Sequence, residues 1–348
     1  MEFNKSISIG GRVISQDSPV FLIAEAGVNH GGDIEVAKKM IDIASEAGVD
    51  AVKFQAFRTE HLILDSVEKA PYQTKTTKEG ESQAQMLKGL ELRQEHYQEL
   101  KNYCDAKNIV FLITPFDEVS LDELEELNVE AYKIASTDTT NISFLEKVAR
   151  TGKPIILSTG MCYLEEVEQS LMAIQKFNKN VILLQCTANY PLDDAEVNLN
   201  VLKTYANKFD VLLGFSDHSV GIGAAPYSIP LGAKVIEKHF TISKDLEGPD
   251  HKASLDPNEL KLFVSVTKKV SSYMGSYKKE PTASEVGTRK SLQKCLVASV
   301  GINAGEVFGP NNIIAKRTGG VGINANELGL VYGQVANKDY KPNDIISL

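Results

Sequence analysis

One pattern repeats eight times along the chain and limits its fold more than any other feature. A short run rich in Val, Ile, Leu and Phe is followed by an amphipathic stretch at helical spacing. VFLIAE (20–25) leads to IEVAKKMIDIASEAG (34–48), and AVKFQ (51–55) leads across a long polar insertion to QEHYQELKNYCDAKN (94–108). IVFLIT (109–114) precedes EVSLDELEEL (118–127), AYKIAS (131–136) precedes ISFLEKVARTG (142–152), and PIILST (154–159) precedes LEEVEQSLMAIQKF (164–177). VILLQC (181–186) is followed by NLNVLKTYANKF (198–209), VLLGFS (211–216) by GIGAAPYSIPLGA (221–233), and KVIEKHF (234–240) by PNELKLFVSVTKKVSSY (257–273). Continuous apolar strands joined by crossover helices imply a parallel sheet covered on both faces. Eight such units in about 255 residues predict an α/β protein built on a (β/α)8 TIM barrel rather than an open sheet. Pro226 and Pro230 predict a short, broken seventh helix. The N-terminal ISIGGRVI (7–14) reads as a hairpin that caps the barrel bottom.

The composition changes after the eighth unit. Residues 273–288 are polar, with Gly, Pro and Ser, and read as a linker between a catalytic domain at 1–272 and a tail at 289–348. The tail has short strands and Gly-rich turns, so a small β-rich domain is expected there. Its core is too small for high stability alone, and docking to another surface is expected.

Composition then narrows the function classes. Lys and Arg number 37 against 46 Asp and Glu, a formal charge of −9, which argues against nucleic acid or an anionic membrane as partner. No apolar run approaches the length of a membrane span, and the first residues lack a basic start followed by a long apolar stretch. A cytoplasmic location is expected. Cys104, Cys162, Cys186 and Cys295 show no CxxC spacing and read as reduced, small buried hydrophobes.

In a barrel of this kind the active site lies at the C-terminal ends of the strands. Those ends carry Glu25, Lys53 with Gln55, Thr114, Lys133 with Ser136, Ser158 with Thr159, Thr187 with Tyr190, Ser216 with His218, and Glu237 with His239. Side chains at i and i+2 share a face, so the paired residues on the second, seventh and eighth strands point together. Lys53 and Lys133 with Thr114, Ser136, Ser158 and Ser216 supply two cations and four hydroxyls, a set that suits a phosphate. His218 and His239, on adjacent strands, can share a divalent metal and leave positions open for water and substrate. Glu25 and Asp138 are available for orientation or proton transfer. His61 and His96 read as solvated; His30 and His251, in Gly-rich loops near the mouth, suit either loop structure or ligand contact. No phosphate-binding nucleotide loop and no GxGxxG after a strand is present, so nucleotide binding is not expected.

At these motifs the chain resembles the sialic acid synthase family, which makes nonulosonic acids. The matching stretches are IAEAGVNHGGD (23–33), VKFQAF (52–57), ITPFD (113–117), YKIAS (132–136), KPIILSTGM (153–161), CTANYP (186–191), GFSDHSVGI (214–222), IEKHF (236–240) and GPDHKAS (248–254). In the tail, NAGEVF (303–308) and AKRTGG (315–320) resemble the antifreeze-like (SAF) domain of these enzymes. The resemblance implies condensation of phosphoenolpyruvate with an open-chain N-acylated mannosamine-type sugar, with release of phosphate. By motif position Lys53, Thr114, Lys133, Ser136, Ser158 and Ser216 would hold phosphoenolpyruvate, and His218 with His239 would hold Mn2+ or Mg2+. Glu25, Gln55, Phe116, Asp138, Tyr190 and Asp250 would face the sugar. Arg317 would reach the partner's site, which implies a domain-swapped homodimer. Thr137 and Asp138 stand where the family often has Gly-Glu, Thr318 where it usually has proline, and Ala188 where some members have Asn. N-acetylneuraminate and diacetyllegionaminate are the leading products. Pseudaminic acid, another phosphoenolpyruvate-condensing aldolase reaction, and a non-catalytic sugar-binding protein are the alternatives.

Overall fold

The computed structural model describes residues 1–348 except 71, 72, 76, 78, 79 and 191. Five positions of the insertion at 69–86 and Pro191 of the CTANYP stretch therefore lie outside the described residues. The chain divides into two compact units, Met1–Gly275 and Ser276–Leu348.

The first unit opens with strands β1 (Ser6–Ile9) and β2 (Arg12–Ser15), antiparallel and joined at Gly10 and Gly11. Both glycines have positive φ (55° and 76°), as a two-residue hairpin turn with the right twist requires. Strands β3 (Phe21–Gly27), β4 (Ala51–Ala56), β5 (Val110–Pro115), β6 (Tyr132–Ile134), β7 (Ile155–Ser158), β8 (Val181–Cys186), β9 (Leu212–Asp217) and β10 (Ala233–His239) follow. All eight are parallel to their neighbours, and β10 pairs with β3 to close the barrel. Alternation along each strand separates two cores. Outward side chains such as Leu22, Val52, Phe54 and Ile113 pack with the helices, while inward ones such as Ile23, Leu112, Ile156 and Leu212 fill the interior. Ile7, Ile9 and Ile14 of the hairpin join the interior cluster, so the hairpin plugs the barrel bottom as its sequence predicts.

Helix α1 (Ile34–Ala47) starts where Asp33 accepts from the N–H groups of Glu35 and Val36, and stops at Gly48 with φ 79°. Two short helices, α2 (Thr59–Leu62) and α3 (Gln83–Lys88), follow β4. The outer layer continues with α4 (Gln94–Ala106), α5 (Glu118–Glu126), α6 (Ile142–Arg150), α7 (Leu164–Gln175) and α8 (Val201–Lys208). The expected broken helix is α9 (Ala225–Ser228), which passes into a 3-10 turn at Ile229–Leu231 and ends at Gly232 with φ 99°. Helix α10 (Pro257–Met274) begins with a capping box between Asp256 and Glu259 and has Pro257 at its first position.

Two expectations need correction. Strand β6 ends at Ile134, and Ser136–Asp138 is a 3-10 turn, so Ser136 is offered by a turn and not by the strand itself. The expected linker at 273–288 begins within α10 and ends within α11 (Glu285–Leu292), because Thr282 donates to the Glu285 carboxylate and sets a helix start there. The second unit has one antiparallel pair, β11 (Lys294–Ala298) with β12 (Ile313–Arg317), then a short helix, α12 (Leu328–Val331). Isolated bridges such as Ile302–Tyr340 and Val307–Val335 supplement it, so there is less regular sheet than the sequence suggests. Leu296, Ile302, Phe308, Val331, Tyr340 and Ile346 form its own core. Among the described residues no helix is long and apolar enough to cross a membrane.

Candidate active site

The C-terminal ends of the barrel strands bring most of the sequence-selected residues into one buried cluster. Lys53 on β4 lies at its heart. Its Nζ is 2.7 Å from Glu25 Oε2, 3.7 Å from Glu237 Oε2, and donates to Thr114 Oγ1 at 3.1 Å. Gln55, two residues on, donates from Nε2 to Glu25 Oε1 at 3.2 Å, as the shared strand face predicts. Lys133 on β6 lies 3.7 Å from Glu237 Oε1 and donates to Ile134 O. Ser216 on β9 donates to the same Glu237 oxygen at 3.0 Å. Glu237 thus joins both lysines and one hydroxyl. The sequence shows it at a strand end but gives it no role; its place among two inward lysines is set by barrel closure.

Electrostatics separates the two carboxylates. Burial drives the Glu25 carboxyl up to about 7, against the pull of Lys53. Burial works against the Glu237 charge as well, but Lys133 and Lys53 outweigh it and hold that carboxyl at about 2. Burial also opposes the charge of Lys53, yet Glu237 and Glu25 prevail and its ammonium stays above its ordinary range. Lys133 has weaker compensation, and burial lowers it.

Ser136 and Ser158 complete the hydroxyl set. Ser136 Oγ accepts from the Gly160 N–H at 2.8 Å and donates to Cys186 Sγ at 3.7 Å. Gly160 permits this approach, since a Cβ there would meet Ser136 Oγ at 2.9 Å and Ala188 Cβ at 3.0 Å. Among the described residues Ser158 Oγ is buried without a hydrogen-bond partner, as is Glu237 Oε2. Such orphaned polar atoms are costly unless a ligand meets them.

The His218 and His239 ring centroids are 5.5 Å apart, and Tyr190 packs tilted against His218 at 4.1 Å and edge-on against His239 at 5.5 Å. His218 Nδ1 is 2.7 Å from Thr187 O, so it carries the proton and leaves Nε2 as the electron pair. Among the described residues His239 Nδ1 has no hydrogen-bond partner, and burial holds this imidazole neutral, its titration well below the ordinary range. Two neutral-capable imidazoles side by side fit a divalent cation. Among the described residues no three His, Cys, Asp or Glu side chains meet as a metal cage, so the remaining ligands would be water and substrate. Asp250 is buried beside His239, where Gly27 leaves room: a Cβ at 27 would lie 3.4 Å from the His239 ring and 3.5 Å from Asp250 Oδ2. Burial raises the Asp250 carboxyl to about 6.

Other selected residues fall differently. Asp138 is buried, but its carboxylate accepts from Thr137 and Asn141 of its own turn rather than joining the lysines. Phe116 packs edge-on against Phe57 at 6.4 Å. Arg317 ends β12 in the second unit and is exposed. His30 and His251 serve their loops: His30 Nδ1 accepts from the Gly32 N–H, and His251 Nδ1 pairs with Thr241 Oγ1 at 2.7 Å. His61 is exposed as expected, while His96 is half-buried with Nδ1 sealed from solvent. Cys186, read from sequence as a bland hydrophobe, lies in the site, its Sγ 3.8 Å from His218 Nδ1. Spacing alone gives no signal for that contact.

The comparisons with known proteins agree with one another. The model of the NeuB family matches residues 40–279. The N,N'-diacetyllegionaminic acid synthase of Campylobacter jejuni is 43% identical over 93% of this chain and 98% of its own length. The human N-acetylneuraminate-9-phosphate synthase is 36% identical over 88% of this chain and 85% of its own. A crystal structure of N-acetylneuraminic acid synthetase from Leptospira borgpetersenii superposes with a TM-score of 0.73 at 36% identity, covering 84% of this chain and 98% of that one.

Proposed function

This chain belongs to the NeuB family, and on that premise we propose that it is a nonulosonic acid synthase. It joins phosphoenolpyruvate to an open-chain N-acylated mannosamine-type sugar and releases phosphate. The observation that carries this reading is the buried cluster of Lys53 and Lys133, joined to the Thr114 and Ser216 hydroxyls directly or through Glu237, together with the paired imidazoles. Lys53, Thr114, Lys133, Ser136, Ser158 and Ser216 bind phosphoenolpyruvate; the unpartnered Ser158 hydroxyl is free to donate to it. Glu237 fixes the two lysine heads on either side of its carboxylate before the substrate arrives. His218 and His239 hold Mn2+ or Mg2+, which when bound polarises the sugar aldehyde.

The C=C π pair of phosphoenolpyruvate forms the new bond from its methylene carbon to the aldehyde carbon, and the aldehyde C=O π pair moves to oxygen, which takes a proton to become a hydroxyl. Water adds to the carbon that bears the phosphate and loses one proton, and the resulting hydroxyl gives up its second proton to form the ketone as the carbon–oxygen bond to phosphate breaks with its electron pair leaving on phosphate. The two lysines, each only 3% exposed, stabilise that departing dianion. Glu25, Gln55, Phe116, Asp138, Tyr190 and Asp250 face the sugar. We further assign the second unit as an antifreeze-like (SAF) domain whose Arg317 serves the sugar's acylamino group in a partner copy, within a domain-swapped homodimer. A cytoplasmic location follows from this role.

The test is phosphate release from phosphoenolpyruvate, with N-acetylmannosamine and diacetamido-trideoxy hexoses as co-substrates, with and without chelator. Release that depends on one of these sugars and is lost on chelation is expected. No release with any acylated amino sugar plus Mn2+ or Mg2+ overturns the reading.

A further inference from the structure

Behind the two imidazoles lies a second buried cluster. Asp217 and Lys238 each precede a histidine by one residue, on β9 and β10, and are register partners. Alternation puts them on the outer face of the barrel, opposite His218 and His239. Only 1% of Asp217 and 2% of Lys238 is exposed. Lys238 Nζ lies 3.0 Å from Asp217 Oδ2 and donates to Ser219 O at 2.7 Å. Asp217 Oδ1 accepts from the Ser219 N–H at 2.9 Å and from its hydroxyl, and Oδ2 accepts from the Ala225 N–H at 3.0 Å. Ser219 Oγ accepts in turn from the Ala224 N–H at 3.0 Å. Gly223 has φ +60°, and a Cβ there would fall 2.0 Å from Ser219 Oγ, 2.9 Å from Asp217 Oδ2 and 3.1 Å from Lys238 Nζ. The loop after β9 is therefore folded tightly onto the ion pair.

A buried ion pair is a weak source of net stability, because desolvation offsets most of its attraction. What this one supplies is geometry. It ties the residue before His218 to the residue before His239, and its other bonds anchor the chain on the far side of His218. We propose that Asp217 and Lys238 are positioning residues for His218 and His239, setting the separation and tilt of the two imidazoles. The proposal rests on the reading that those imidazoles hold a divalent cation.

Mn2+ binding to the full chain, followed by the EPR signal of free Mn2+, tests it. Asp217→Asn keeps the side-chain shape, and Lys238→Met keeps the stem. Both are expected to weaken Mn2+ binding by about 10- to 100-fold, the usual effect of losing support behind a metal ligand. Phosphoenolpyruvate binding without metal is expected to stay unchanged. Ser219→Ala, which removes only the hydroxyl's bonds, covers the case in which the first two fail to fold, and is expected to weaken Mn2+ binding less. Unchanged Mn2+ affinity with a lowered melting temperature overturns the proposal and leaves the pair merely structural. His218→Ala is the control for the metal reading itself. If the unsubstituted chain binds Mn2+ no better than that variant, that reading fails. The imidazole NMR signals of the metal-free chain then decide the positioning claim, which requires them to move in Asp217→Asn.

Discussion

Glu237→Gln is the substitution whose consequence follows most directly from the barrel's charge arrangement. The change preserves size and leaves an oxygen to accept from Ser216. It removes the carboxylate that lies 3.7 Å from both Lys133 and Lys53. At an effective dielectric near 20 each such contact is worth about 4 kcal/mol of attraction before desolvation is counted. Lys53 keeps Glu25 at 2.7 Å, whereas Lys133 loses its ion-pair partner and is left buried with a carbonyl. Breaking a buried pair from one side costs about 3–5 kcal/mol, and that is the loss expected in urea unfolding at neutral pH. Lys133→Met should cost less, because Glu237 keeps Lys53 at 3.7 Å and the Ser216 hydroxyl. The double variant should cost less than the sum by about 1–3 kcal/mol, since it leaves no uncompensated pair. A single-variant loss below about 1 kcal/mol, or strict additivity, would refute the claim that Glu237 holds the lysines.

Three further outcomes are expected. Burial, helped by the Glu237 charge and opposed by Lys53 and Gln55, raises the Glu25 carboxyl from 4.5 unfolded to about 7 folded, so its contribution to stability is full below 4.5 and is lost as pH rises through 7. Glu25→Gln should therefore gain stability relative to the unsubstituted chain on going from about pH 5 to 8; a constant difference in melting temperature across that range would contradict this. Gly214→Ala should cost about 3 kcal/mol or more, because its Cβ would lie 2.3 Å from Leu184 Cδ2 and 2.5 Å from the backbone oxygen of Val235, and near-normal thermal unfolding would show that the strands can part there. Arg317→Ala, at an exposed position, should raise the sugar KM at least about tenfold with phosphoenolpyruvate KM unchanged, and equal effects on both would remove its assigned role.

Periodicity in this chain was enough for the barrel. Each apolar run became a strand within a residue or two of its predicted bounds, because burial on both faces leaves no polar alternation to confuse the reading. The exceptions were local. Ser136 left its strand for a 3-10 turn, and a Thr–Glu cap turned the end of the linker into a helix. These depend on a few hydrogen bonds that no apolar period reports.

The site divides in the same way. Residue type and i, i+2 spacing alone selected Lys53, Lys133, the hydroxyls and the two histidines, because strand ends in a closed barrel must converge. Only the tertiary structure decided that Glu237 stands between the lysines, that Cys186 touches His218, that Asp138 turns back on its own loop, and that Asp217 and Lys238 pair behind His218 and His239. All but the Asp138 turn depend on which side chains meet across strands separated by tens of residues. Strand order and register set those meetings, and a linear pattern carries neither.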